Sequence, residues 1–145
     1  MASAALDLGR RRIGVAVTDA ASMGAYPVGV VERRSVRRDL EAIAAMLRER
    51  EVTTIVVGLP LNMDGSEGPA ARSARTFADK VAEVMRVKVE MFDERLTSFE
   101  AEERLKGMPV RKGARKPAID TIAAAVILEG WMESRRKEKL RGDHD

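Results

Sequence analysis

Thr54-Ile55-Val56-Val57-Gly58 is the segment that most narrows the choice of fold. It is short, continuously apolar and β-branched. It follows residues 36–50, in which Leu40, Ile43, Ala44 and Leu47 recur at helical spacing behind a capping Ser35. A strand apolar on both faces must be covered on both faces. A chain carrying such a strand after a helix is expected to build a sheet between layers of helices, the α/β class.

The flanking segments extend the pattern. Residues 3–9 (SAALDLG) and 13–19 (IGVAVTD) read as two strands joined by the turn-sized Gly9-Arg10-Arg11-Arg12, an antiparallel hairpin. Residues 26–32 (YPVGVVE) read as a third strand, in which Pro27 points to an edge position or a strand start. After the 59–68 loop, Pro69 opens a helix to about Met85, with Phe77, Val81 and Val84 on one face. Residues 87–92 (VKVEMF) alternate as a strand that delivers Asp93 and Glu94. The capping box Thr97-Ser98-Phe99-Glu100 starts a helix expected to stop at Gly107. A basic connector, 108–116, leads to a last helix opened by Pro117, with fraying expected from Ser134. The order β-β-β-α-β-α-β-α-α predicts a ribonuclease H-like three-layer fold. Its mixed five-stranded sheet has three antiparallel strands then two parallel ones, flanked by helices. One domain, 1–137, and a charged tail, 138–145, are expected.

Composition decides which chemistry this frame can carry. There is no cysteine, and His144, next to last, is the one histidine, so thiolate sites and histidine-rich zinc sites are excluded and a Ser-His-Asp triad is strongly disfavoured. Acid–base or metal chemistry must use carboxylates. No apolar run approaches the ~20 residues of a membrane span and no signal-peptide pattern opens the sequence, so a cytoplasmic protein with no membrane partner is expected. The formal net charge of +3 is modest, yet the cations are clustered. Arg10, Arg11 and Arg12 form one knot, Arg33, Arg34, Arg37 and Arg38 another, and Lys106, Arg111, Lys112, Arg115 and Lys116 a third without an acid among them. Such clusters suit a phosphate backbone, or are solvated surface charge. With aromatic residues at 3%, base stacking is not the expected mode of binding.

Three acids stand out. Asp7 interrupts a small apolar strand, where an ionised carboxylate costs several kcal/mol unless it is paired, hydrogen-bonded or metal-bound. Glu94 closes the last strand, and ligand sites of α/β sheets gather at strand carboxyl ends. Asp93 and Glu94 cannot face the same way, so Asp93 is the alternative if the register shifts by one. Asp120 falls in the first turn of the last helix, favoured there by the macrodipole, yet on the shoulder of the apolar face. Singly, each has an ordinary structural explanation. Together they suit two hard cations about 4 Å apart, held by oxygen ligands for in-line attack on a phosphodiester. Magnesium suits such a site, and manganese accepts the same ligands.

Four motifs carry a family resemblance. Asp7-Leu8-Gly9 with Arg12-Ile13-Gly14-Val15-Ala16, Gly58-Leu59-Pro60-Leu61-Asn62-Met63-Asp64-Gly65, Asp93-Glu94-Arg95-Leu96-Thr97-Ser98, and Ile119-Asp120 leading into Ala123-Ala124-Ala125-Val126-Ile127-Leu128 closely resemble the YqgF (RuvX) family, in order and spacing. The resemblance implies a ribonuclease H-like nuclease, akin to Holliday-junction resolvases, that matures the 5′ end of the small-subunit (16S) ribosomal RNA precursor. It places Asp7, Glu94 and Asp120 on the family's metal-binding, catalytic positions. Arg11, Arg12, Asn62, Arg95, Lys112, Arg115 and Lys116 are expected to contact nucleic acid, with structured RNA and ribosomal particles as partners. A monomer or weak homodimer is expected. The rival readings are a junction-resolving DNase, a non-catalytic RNA-binding assembly factor on the same fold, and an actin-like ATP-binding domain. The last would need two such domains.

Overall fold

Strand alternation sorts the chain into layers. In a computed structural model, which describes residues 2–18, 24–97, 103, 105 and 119–142, five strands form one mixed sheet. The elements are β1 (Ala2–Leu8), β2 (Arg12–Thr18), β3 (Ala25–Glu32), α1 (Val36–Leu47), β4 (Val52–Leu59), α2 (Pro69–Met85), β5 (Lys88–Asp93), a 3-10 turn (Glu94–Leu96) and α3 (Ile119–Gly142). The spatial order is β3-β2-β1-β4-β5. The pairs β1–β2 and β2–β3 are antiparallel, and β1–β4 and β4–β5 are parallel. This is the ribonuclease H-like sheet that the segment order predicts. β3 is an edge strand, and its register slips where Pro27 faces Ala16, as a residue without an N–H requires.

Side chains at alternate positions point to opposite faces. On one face Ala4, Leu6, Ile13, Val15, Ile55 and Val57 pack beneath Ile43 and Leu47 of α1 and Phe77 and Val81 of α2. On the other, Ala5, Ala16 and Val56 lie under Ala124, Ile127, Leu128 and Trp131 of α3. The small alanines on this second face let α3 lie close against the sheet. Leu6, Ile13, Ile43, Ile55 and Leu128 are fully buried, each contributing about 1.5–3 kcal/mol relative to exposure.

Local signals hold at the starts of α1 and α2, while residues 98–100 of the expected capping box and Pro117 lie outside the described residues. The Ser35 hydroxyl accepts from the Arg38 amide (3.2 Å), and Pro69 opens α2. Strand bounds shift by one or two residues, and two helix ends differ by more. α1 ends at Leu47, before a turn in which Glu51 takes a positive φ of 49°. The last helix does not fray at Ser134 and continues to Gly142, so the described part of the 138–145 tail is helical. Arg135 explains the continuation: it pairs with Glu90 of β5 (3.2 Å) and lies over the Trp131 ring (4.9 Å), while Lys137 pairs with Glu133 (3.4 Å). Of the helix expected after Thr97, the described Glu103 and Leu105 are helical, and Leu105 is buried against the α3 side. Residues 108–116 lie outside the described residues. No helix among the described residues is long and apolar enough to cross a membrane.

Candidate active site

Alternation along β1 places Asp7 on the same face as Ala5, beneath α3, while Leu6 and Leu8 face α1 and α2. The cross-strand partner of Asp7 is Gly14. A Cβ at Gly14 would run into the Asp120 carbonyl, so the bare backbone there is what lets the first turn of α3 settle onto the sheet beside Asp7. Gly58 does the equivalent on β4. A Cβ there would meet the Glu94 carboxylate and the Ile127 side chain, so its absence leaves room for Glu94 to fold back from the end of β5 over the sheet. Two glycines thus seat the two elements that carry Asp120 and Glu94.

Asp7 and Glu94 line one cavity of about 250 Å³ with Thr97, Ile119, Ala123, Val126 and Ile127. The Thr97 hydroxyl donates to the Glu94 carbonyl (2.9 Å), closing the 3-10 turn behind the carboxylate. The apolar wall changes the acids. Asp7 is pushed up to about 6, first by burial and then by the charge of Asp120. Glu94 is also raised, by burial first, then by Asp7 and by Asp93. Asp93 moves the other way. It is held below the usual carboxylate range by Arg95, whose Nε and Nη2 donate to it (2.8–3.1 Å). The Asp93 carboxylate also accepts from the Arg95 amide (2.9 Å). Of the two adjacent acids, Glu94 enters the cavity and Asp93 caps the turn.

Asp120 is half-buried and acts on Asp7 through its charge, but it does not line the cavity. Among the described residues no three acidic, histidine or cysteine side chains are gathered closely enough to hold a metal ion. The donor chemistry nevertheless fits a hard divalent cation. All the donors are carboxylate oxygens, and Asp7 and Glu94 ionise against their neighbours' charge, a cost that a cation would remove.

The expected nucleic-acid contacts divide. Arg11 and Arg12 are exposed at the β1–β2 turn. Arg95, beyond its hold on Asp93, donates to the Met63 carbonyl (3.3 Å), so it ties the 59–68 loop to the Glu94 turn. Asn62 belongs to that loop, where its amide donates to Ser66 Oγ (2.9 Å). Lys112, Arg115 and Lys116 lie outside the described residues. Gly14, Gly58 and Thr97 do not stand out as site residues in the sequence, although each belongs to one of the four motifs.

Comparison with known proteins gives a family match and a likeness of fold. The family model for RuvX, described as a Holliday junction resolvase, matches residues 1–134. A relative from Anaeromyxobacter sp. (strain Fw109-5) is 54% identical over 130 residues, covering 90% of this chain and 95% of its own. One from Myxococcus xanthus is 46% identical over 136 residues, covering 94% and 90%. Both are named as candidate pre-16S rRNA nucleases. Among solved structures, Thermus thermophilus RuvC in complex with a Holliday junction substrate is similar with a TM-score of 0.62 at 16% identity, covering 92% of this chain and 96% of that one. The fowlpox virus Holliday junction resolvase is similar at 0.54 and 13%, covering 92% and 99%. At such identities the likeness is one of fold.

Proposed function

The chain belongs to the RuvX family, and from that premise we propose a metal-dependent nuclease that hydrolyses phosphodiester bonds at the 5′ end of the small-subunit ribosomal RNA precursor, in the cytoplasm. The observation that carries the chemistry is the pair of carboxylates, Asp7 and Glu94, sharing one apolar-walled cavity at the carboxyl ends of two strands. The relatives' name supports the substrate.

In this reading Asp7, Glu94 and Asp120 hold divalent cations, magnesium or manganese. When bound, these activate a water and stabilise charge developing on the phosphodiester. The chain's own part is to prepare the ligands. Burial raises both acids, Asp7 to about 6, so a cation must displace the Asp7 proton as pH drops towards 6 and affinity falls there. The buried Val126 and Ile127 exclude water from one side and lower the local dielectric, strengthening each carboxylate's hold. Thr97 and the Asp93–Arg95 pair fix the turn from which Glu94 projects.

Cleavage of precursor ribosomal RNA, duplex DNA and a four-way junction, compared with magnesium, manganese, calcium and chelator, tests the proposal. Cutting of the RNA with magnesium or manganese and none with calcium, whose looser shell misplaces the reacting groups, is expected. Robust cleavage in excess chelator would sink the metal reading. The family description and the RuvC-like fold favour junction resolution as the second reading. Cutting confined to the four-way junction would select it.

A further inference from the structure

Two arginine knots that are more than twenty residues apart in sequence form one surface in the fold. The Arg33 amide donates to the Arg11 carbonyl, and Arg33 Nη1 donates to the Gly9 carbonyl, both at 2.8 Å. Arg12 pairs across the β2–β3 ladder with Glu32. The β1–β2 turn and the β3–α1 connection are therefore fastened side by side. Arg33 is the rivet, half-buried with its guanidinium 5.8 Å from the Phe77 ring centroid. Arg10, Arg11, Arg12, Arg34, Arg37 and Arg38 stand exposed around it.

The charge on this surface is poorly compensated. Residues 9–12 and 32–41 hold seven arginines against Glu32, Asp39 and Glu41, more positive charge than the +3 of the whole chain. Asp39 is buried, and its carboxylate accepts from the Arg34 amide (2.9 Å). Among the described residues the one ion pair that the six exposed arginines make is Arg37–Glu41, at 3.3 Å. Two of these cations, Arg37 and Arg38, occupy the first turn of α1, where the macrodipole opposes a positive charge. Helix stability does not account for them. An anion at the same place would be drawn by the arginines and the helix end together.

Location supplies the second argument. Arg10 follows Asp7 by three residues, so the surface begins within about 10 Å of the cavity acid. It extends over two neighbouring strands, about 10 Å further. No aromatic residue lies within either segment, which excludes stacking and leaves phosphates as the matching group. We propose that this arginine surface is a second nucleic-acid footprint. It grips the phosphodiester backbone of the substrate beginning about three nucleotides from the bond to be cut, at about 3.4 Å of axis each. The assignment rests on the nuclease reading for its position relative to the cavity, and on its own charge for the partner.

The test is a salt titration of binding to duplex RNA and to a precursor ribosomal RNA fragment, in chelator so that nothing is cut. The protein is compared with Arg10→Gln/Arg34→Gln/Arg38→Gln and with Arg48→Gln/Arg86→Gln/Lys88→Gln. The second variant removes three exposed charges at the opposite ends of α1, α2 and β5. The first variant should lower the slope of log K against log salt by about 2, at roughly 0.7 to 0.9 for each phosphate no longer neutralised, while the second leaves it near the unsubstituted value. Equal reductions of slope in the two variants, or none in the first, would overturn the footprint. If the protein binds with this arginine dependence yet cuts nothing under any metal, the footprint stands and the nuclease reading falls.

Discussion

Replacing Asp7 by asparagine should abolish cleavage and raise the stability of the metal-free protein. The raised pKa sets the size of the effect. Asp7 moves from 3.8 to about 6, and at about 1.4 kcal/mol per pKa unit the fold disfavours its charged form by ~3 kcal/mol. The folded protein holds the Asp7 proton up to about pH 6, whereas the unfolded chain releases it near 3.8. Between those values the native state binds more protons than the unfolded state, so stability falls as pH rises through the window and is level above it. An amide keeps the shape and removes the charge, which relieves Asp7 of its burial and Asp120 penalties and also lifts the push of Asp7 on Glu94. The amide is still a polar group beside an apolar wall, so ~3 kcal/mol is the ceiling at pH 7. At about 2–4 °C per kcal/mol, that is a Tm rise of up to roughly 10 °C.

The assay is thermal unfolding of both proteins in chelator from pH 4 to pH 8. The two melting curves should nearly coincide at pH 4, separate between pH 4 and 6, and keep a constant gap above. Added magnesium should then raise the Tm of the unsubstituted protein and leave that of Asp7→Asn unchanged. A lower Tm for Asp7→Asn at pH 7 would mean that a cation of the protein itself compensates Asp7, and a gap independent of pH would mean that folding leaves its pKa unshifted. The raised-acid account of the site would then be wrong.

The remaining predictions separate seating from chemistry and the connector from the site. Gly58→Ala should cost about 1–3 kcal/mol at most, because its Cβ meets the flexible ends of Glu94 and Ile127, yet it should lower cleavage about 10²-fold by displacing Glu94; Gly14→Ala, whose Cβ meets the Asp120 backbone, should lose both, with Tm and cleavage measured in parallel. Alanine at Lys112, Arg115 and Lys116 together should weaken RNA binding and flatten its salt dependence by about 0.7 to 0.9 for each phosphate released; an unchanged slope would leave the 108–116 stretch as a solvated connector.

Layering and strand order were legible because they follow from periodicity. The unbroken TIVVG run could only be a strand covered on both sides, and β4 is one. Asp7 was legible as an anomaly for the same reason, a charge inside an apolar strand. The helix extension past Ser134 was not fully legible: the Trp131–Arg135 and Glu133–Lys137 pairs are local, but Glu90 belongs to β5, and no pattern local to 134–142 announces that pairing. The ambivalence over Asp93 and Glu94 shows the limit of alternation. It predicts that two adjacent acids diverge, but which one enters the cavity depends on the 3-10 turn that follows and on Arg95 reaching back to Asp93.

That turn also explains why so exposed a residue as Arg95 sits inside one of the four motifs. A carboxylate that must stay unpaired towards a cavity is safest when its acidic neighbour is paired away from it. The acids that act on Arg95 are Asp93 and Asp64, not Glu94; an arginine on Glu94 would compete with any cation for the same oxygens. With Nε and Nη2 on Asp93 and Nη1 on the Met63 carbonyl, the guanidinium is committed to partners other than Glu94. The acid pair then behaves as two differently poised groups. Asp93 is ionised and structural, and Glu94 is raised and open to a ligand. The same separation appears around Asp7, whose cross-strand position is a glycine and not a cation, so the charge of Asp120 acts on it unopposed. Each device withholds a counter-charge from the cavity, and the fold thereby keeps a site whose carboxylates are costly to ionise until a divalent cation shares them.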